Sequence, residues 1–417
     1  MLKDKMLSWA SRFGIFLWLD SHGYDDRYGK YECLLGISNS EFRISDCMMR
    51  SPSFSNAEFG IQDSEWLMGH LCYDYKNVLE PQLQSRYGAN TGFEPARFFR
   101  PDVVCYIPRG TTALHIESLE ATPDLIFSEI SKQDALPPAP VPKVRFTPRI
   151  SRDKYLKKVA ALRSQIYEGD CYEINFCNEA FAEDISLDAL AAYKALTRAS
   201  SAPFSAFYKT GASYLICASP ERFLTKRGRR IISQPIKGTA PRGTTAKEDE
   251  ALKAALLASE KERAENVMIV DLVRNDLAQV CETGSIAVDE LFGIYTYPHV
   301  HQMTSTVSGE LQEGRTVWDA IRKAFPMGSM TGAPKFRVMQ LIDAYEEARR
   351  ELFSGTVGYI SPDGDADFNV VIRSLFYNTV TKRLSYQAGG AVTWDSTPEG
   401  EWEEMRLKAM GMERLFE

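Results

Sequence analysis

The sequence has no surplus of positive charge: 49 Lys and Arg stand against 56 Asp and Glu, a net charge of −7 over 417 residues. A nucleic-acid binder needs extra cations to neutralise phosphates, so that class is excluded, although a few local Arg or Lys can still hold a small anion. Histidine is scarce, at 5. Eight cysteines are scattered along the chain: Cys33, Cys47, Cys72, Cys105, Cys171, Cys177, Cys217 and Cys281. None forms a Cys-x-x-Cys pair, so they read as reduced, mostly buried thiols rather than a disulfide framework or a zinc site. The apolar run from Ile15 to Leu19 stops at Asp20. It is too short for a signal-peptide core or a membrane span and reads as a buried strand. These absences predict a cytoplasmic protein with no nucleic-acid and no membrane partner.

What is present is the composition of a globular protein, with 44% hydrophobic and 25% charged residues. The length allows two or three ordinary domains or one large one. Prolines 137, 138, 140, 142 and 148 mark one composition break. Residues 136–148 are therefore expected to be an extended connection between an N-terminal region, 1–135, and a C-terminal region, 149–417. Beyond it, helical spacing of Tyr155, Val159, Leu162 and Ile166 predicts a helix capped by Ser151 and stopped at Gly169. Strands are expected over 171–180, 213–218, 230–234, 355–361, 368–377 and 383–388. One long helix is expected over 245–275, another opening at Thr331 to Pro334, and a last one capped by Thr397. Strands and helices mix without regular alternation, which predicts an α+β fold.

Two Glu-x-x-Glu pairs stand out, Glu262 with Glu265 and Glu401 with Glu404. Residues three apart share a helix face, so two facing helices would present four carboxylates, a cluster that a hard cation such as Mg2+ would neutralise. Each pair taken alone reads first as a solvated helix face. Gly328 to Lys335, Gly-Ser-Met-Thr-Gly-Ala-Pro-Lys, offers backbone N–H groups at a helix start but lacks the ending of a nucleotide P-loop. Arg373 interrupts an apolar stretch and is either a partner for a substrate carboxylate or an outward-facing strand residue. Gly389 and Gly390 follow a strand, where a ligand or a turn would explain them. His301 is a candidate donor or a structural histidine. Lys237, in Pro-Ile-Lys-Gly-Thr, is a surface lysine by default and a nucleophile only if its surroundings free its amine.

Six segments in one order carry more than any of them singly: Gly-Asp-Cys-Tyr-Glu-Ile-Asn at 169–175, Ser-Pro-Glu-Arg-Phe at 219–223, Pro-Ile-Lys-Gly-Thr at 235–239, the run from Glu262 to Asp276, Gly328 to Lys335, and Gln387 to Ala391. From about Ser151 to Ala409 the chain thereby resembles the chorismate-binding enzymes, which include anthranilate, aminodeoxychorismate, isochorismate and salicylate synthases. In the N-terminal region, Gly69 to Tyr75 resembles another family segment.

The resemblance implies an anthranilate synthase component I-like fold, with large antiparallel sheets in a sandwich and helices outside. It implies Mg2+ held by Glu265 and Glu404 directly and by Glu262 and Glu401 through water. Thr239, Thr331, Tyr359, Arg373, Gly389, Gly390 and Lys408 are implied as chorismate-binding residues, with Glu221 as general acid at the 4-hydroxyl and His301 as its neighbouring donor. Lys237 stands where anthranilate synthases typically have Ala and many aminodeoxychorismate synthases have Lys. It implies attack on ring carbon 2, then displacement by ammonia at carbon 4, with anthranilate synthase component I as the alternative. Glu173 departs from the pattern, which has Gln in ammonia-using enzymes and Lys in water-using ones. Leu34-Leu35-Gly36-Ile37 is the nearest match to the Leu-Leu-Glu-Ser tryptophan motif, so no tryptophan feedback is expected. With no glutaminase or pyridoxal-phosphate region recognised in the sequence, a separate glutamine amidotransferase subunit is expected to supply ammonia.

Overall fold

The computed structural model describes residues 2–38, 65–134 and 140–417. Cys47, Pro137 and Pro138 lie outside the described residues. All described strands fall into two antiparallel sheets, one of 11 and one of 9 strands. The larger runs Gly332–Ala333, Glu173–Ala182, Arg383–Val392, Ser374–Asn378, Ser213–Ser219, Phe204–Thr210, Ile15–Asp20, Tyr31–Ser38, Val103–Pro108, His115–Ser118. The smaller runs Ile236–Pro241, Val300–Glu310, Arg230–Gln234, Arg222–Arg227, Ala366–Asn369, Thr356–Ile360, Leu67–Leu71, Ala96–Phe99. Strands from before and after the proline-rich stretch share both sheets.

Side-chain alternation sorts the core into two layers. Leu17, Leu34 and Leu215 of the larger sheet meet Met68, Leu224, Ile231 and Val357 of the smaller one. Their neighbours Phe16, Trp18, Leu35 and Ile216 point the other way, onto Trp9, Tyr155, Tyr193, Val338 and Ala409 of the helices outside. This is the α+β sandwich expected from the resemblance.

Three local expectations need correction. The helix expected over 245–275 is two, Ala246–Ala258 and Glu260–Ala278. Ser259 is extended between them, and its hydroxyl accepts from the Glu262 N–H as cap of the second. The strand expected over 368–377 is also two, Ala366–Asn369 and Ser374–Asn378, in different sheets. The helix expected to open at Thr331 begins at Lys335, because Gly332–Ala333 first pairs with Ile174 and Glu173. Pro334 is its cap rather than its first residue.

Leu215 is fully buried between the sheets. Leu215→Ala is expected to lower the unfolding free energy by about 2–5 kcal/mol in urea titration, since it leaves a cavity in a packed layer.

Candidate active site

The candidate site forms where the chain changes sheets. It crosses from the larger to the smaller sheet between Ser219 and Arg222, and back between Asn369 and Ser374. Two backbone bonds tie the crossings together: Ala218 N–H donates to the Arg373 carbonyl at 3.2 Å, and Val370 N–H to the Glu221 carbonyl at 3.0 Å. Glu221 sits on one crossing and Arg373 on the other. Arg373 is thus not mid-strand as expected; it has φ 52, which lets the chain turn sharply into the other sheet. Its guanidinium is held below its ordinary pKa by burial, with the Glu404 carboxylate opposing that effect. Glu221 is buried, and burial pushes its carboxyl up to about 7 even though Ser329 donates to it at 2.6 Å.

Lys237 lies at a bulge. The pairing register with Val300–Glu310 shifts between Ile236 and Thr239, and Gly238 has φ +100. Such an irregularity re-aims a side chain out of the pleat. The Lys237 amine is buried and donates to Glu173 Oε1 at 2.6 Å. Burial alone would lower its pKa; Glu173, with Glu265 and Glu404 beyond it, raises it instead, so the resting amine is charged. Lys237 is therefore not a surface lysine. Asn266 holds the neighbouring helix against this strand, donating to the Lys237 carbonyl at 3.3 Å while its own carbonyl accepts from Ser305 at 2.6 Å.

The two acidic pairs face each other from Glu260–Ala278 and Pro398–Glu413. Glu404 is among the charges that raise Glu262, and burial pushes Glu265 up to about 7. Buried oxygens of Glu265 and Glu401 have no hydrogen-bond partner. Among the described residues no group of three or more His, Cys, Asp or Glu is set to hold a metal ion as it stands. Instead lysines stand between the carboxylates: Lys261 is 3.7 Å from Glu265, and Lys408 is 2.7 Å from Glu404. Burial raises Glu262, Glu265 and Glu401, while Lys408 holds Glu404 below the usual carboxylate range; this all-oxygen set with unpartnered oxygens nevertheless fits a hard dication. Gly390 makes room for these groups, since a Cβ there would lie 2.7 Å from Glu401 Oε2. Gly389 and Gly390 lie within the strand Arg383–Val392, not after it, and the Gly389 carbonyl accepts from Lys408 at 2.8 Å.

The structure does not bring every expected residue to this place. Tyr359 lies in the smaller sheet with its ring against Tyr31 and Trp66, lining a different cavity with Asp26, Arg222 and Asp367. Its strand pairs with Ala366–Asn369, and its ring is packed in the core layer between the sheets. His301 is fully buried, with Nε2 2.9 Å from Asp249 Oδ1 and Nδ1 3.0 Å from the Thr296 hydroxyl. With both nitrogens engaged by protein groups, the ring is not free to serve as the expected donor in this arrangement. Thr331 is buried and its hydroxyl donates to the Met327 carbonyl at 2.9 Å, whereas Thr239 is exposed beside the Lys237 bulge.

One cluster was not foreseen. Arg350, buried, donates to the Met330 carbonyl at 2.6 Å, to the Asn175 carbonyl at 2.8 Å and to both oxygens of Glu346. It braces the loop that carries Ser329 and Thr331. Its one sequence signal is Glu346 at i and Arg350 at i+4, a spacing shared by many surface pairs.

A family model described as chorismate binding enzyme matches residues 17–414. The chain belongs to the chorismate-binding enzyme family. It is 47% identical to an aminodeoxychorismate synthase of Streptomyces griseus over 64% of this chain and 37% of that protein. It is 34% identical to anthranilate synthase component 1 of Thermus thermophilus over 84% of this chain and 77% of that one. Among solved structures, anthranilate synthase component I of Streptococcus pneumoniae superposes with a TM-score of 0.73 at 25% identity, covering 96% of this chain and 90% of that one. The chain spans only 29% to 38% of the length of four curated aminodeoxychorismate synthases that it matches. No helix of the described residues is long and apolar enough to cross a membrane.

For this chorismate-binding enzyme, Ser329→Ala is expected to raise the Glu221 pKa further. The Ser329 hydroxyl stabilises the charged carboxylate, so its loss moves the titration midpoint up by about one to two pH units. Carbon-13 NMR of labelled Glu side chains would read the shift; a midpoint that stays or falls would contradict it.

Proposed function

We propose that this chain aminates chorismate at carbon 4, as aminodeoxychorismate synthase component I, with ammonia from a separate glutamine amidotransferase subunit. The product, 4-amino-4-deoxychorismate, serves 4-aminobenzoate and folate synthesis. The observation that carries this reading is Lys237: a buried amine re-aimed by a bulge, beside four paired carboxylates and within electrostatic reach of a high-pKa Glu221. Neither a solvated surface nor a packed core gives a lysine those surroundings.

In this reading Arg373 and Lys408, with the backbone at Gly389 and Gly390, hold the substrate carboxylates. Thr239 and Thr331 flank the ring. Glu262, Glu265, Glu401 and Glu404 hold Mg2+, which when bound neutralises them and polarises a ring carboxylate. Lys237, as the free amine, bonds to ring carbon 2; both ring double bonds shift toward carbon 4 and the carbon 4–oxygen bond breaks. The hydroxyl leaves as water with a proton from Glu221, whose pKa near 7 keeps much of it protonated at neutral pH. Ammonia then bonds to carbon 4, both double bonds return to their original positions, and Lys237 leaves carbon 2. Two easier substitutions replace one hard one. His301, bound to Asp249, stiffens the wall beside the Lys237 strand rather than touching substrate.

Incubation with chorismate, Mg2+ and ammonium should yield 4-amino-4-deoxychorismate by mass spectrometry. Fluorescent anthranilate appearing without an added lyase would instead support the alternative, anthranilate synthase component I. Lys237→Ala is expected to slow amination by about 100-fold or more while chorismate binding by calorimetry survives. Unchanged turnover in that variant would remove the covalent step. Chelation of Mg2+ should abolish turnover, and adding it back should restore it.

A further inference from the structure

Lys237 is charged at rest, yet the proposed attack needs its free amine. We propose that Glu173 is the proton acceptor that frees Lys237 and later returns its proton, a reading that rests on the covalent step above. The two side chains are in contact at 2.6 Å in a buried place, Glu173 being fully enclosed. A proton can therefore pass between them without leaving the protein.

A structural ion pair looks different in this same molecule. Glu346 has its oxygens taken by Arg350 Nε and Nη2 and by the Cys177 N–H. Glu173 has Lys237 on Oε1 and nothing on Oε2, which is buried without a hydrogen-bond partner. That oxygen has room for a proton. Glu173 also opens the strand Glu173–Ala182 and pairs with Ala333 beside the Thr331 loop, so its backbone is held on both sides of the site. Glu221, a fully buried carboxyl within electrostatic reach of Lys237, accepts from Ser329 and must keep its own proton for the leaving hydroxyl. The two acids thus divide the work: Glu173 accepts a proton and Glu221 gives one.

The proton count closes. The Lys237 ammonium and Glu173 carboxylate become amine and carboxylic acid; the amine bonds to carbon 2 as Glu221 protonates the departing hydroxyl. When ammonia displaces Lys237, the new carbon 4 ammonium gives a proton to Glu221. The freed amine takes its proton back from Glu173. No oxidant or further reactant is needed.

The test is the rate of Lys237 adduct formation with chorismate and Mg2+ but no ammonium, so that the titration of ammonia does not enter. The charges facing Lys237 besides Glu173 are Glu262 and Glu265 from one acidic helix, Glu404 from the other, and Glu221. They are the same in parent and variant. For Glu173→Gln the rate at neutral pH is expected to fall by about 100-fold, with chorismate affinity unchanged. It should also gain a rise with pH that the parent lacks, because solvent must then take the proton. Glu173→Asp should recover part of the loss. An equal or faster rate in Glu173→Gln, the parent's pH profile at a lower level, or loss of chorismate binding together with the rate would each overturn the proposal. If Lys237→Ala is inactive while Glu173→Gln is unimpaired, only the role of Glu173 fails. If Lys237→Ala turns over normally, the covalent reading fails and this proposal with it.

Discussion

The site depends on one constraint: two of the chain's crossings between the sheets must fall at neighbouring points and bond to each other. The Ala218–Arg373 and Val370–Glu221 backbone bonds do this. Crossing segments leave the ladder, so their residues are free of strand alternation and can point into the space between sheets. Glu221 and Arg373 are placed in this way. The left-handed φ of Arg373 is part of the same turn.

Charge then decides what the space can do. Glu173, Glu221, Glu262, Glu265, Glu401 and Glu404 outnumber the nearby Lys237, Lys261, Lys408 and Arg373. Burial pushes both Glu221 and Glu265 up to about 7, and for Glu265 the neighbouring carboxylates of Glu173 and Glu262 add to it. The same excess keeps Lys237 charged despite its burial. In the proposed reading, such a site takes a dication and a substrate whose own carboxylates are met by the few cations present. Away from it, Arg350 satisfies its partners completely and acts as a brace.

Several elements were legible because local chemistry alone produces them. Thr397 caps the last helix by accepting from Gly400 N–H, and the apolar spacing from Tyr155 to Leu162 buries one face of its helix. Elements broken by long-range pairing were not. The interval from Phe368 to Tyr377 reads as one apolar strand, but its halves belong to different sheets. The cap at Ser259 was hidden within a continuous run of helix-forming residues. Tyr359 and His301 show the limit for sites: each has a plausible residue type, and only their surroundings reveal rings committed to an aromatic cluster and to Asp249.

The sequence by itself determined the family, because six short segments in one order need no geometry to be recognised. It also determined the periodic helices and the two acidic pairs, since residues three apart on a helix share a face whatever the fold. Only the tertiary structure decided which charges meet. Glu173 and Lys237 are 64 positions apart in the chain, and Glu221 receives its hydrogen-bond donor, Ser329, from 108 positions away. Such contacts follow from sheet register and from where the chain crosses between sheets, and neither has a local signature in the residues themselves.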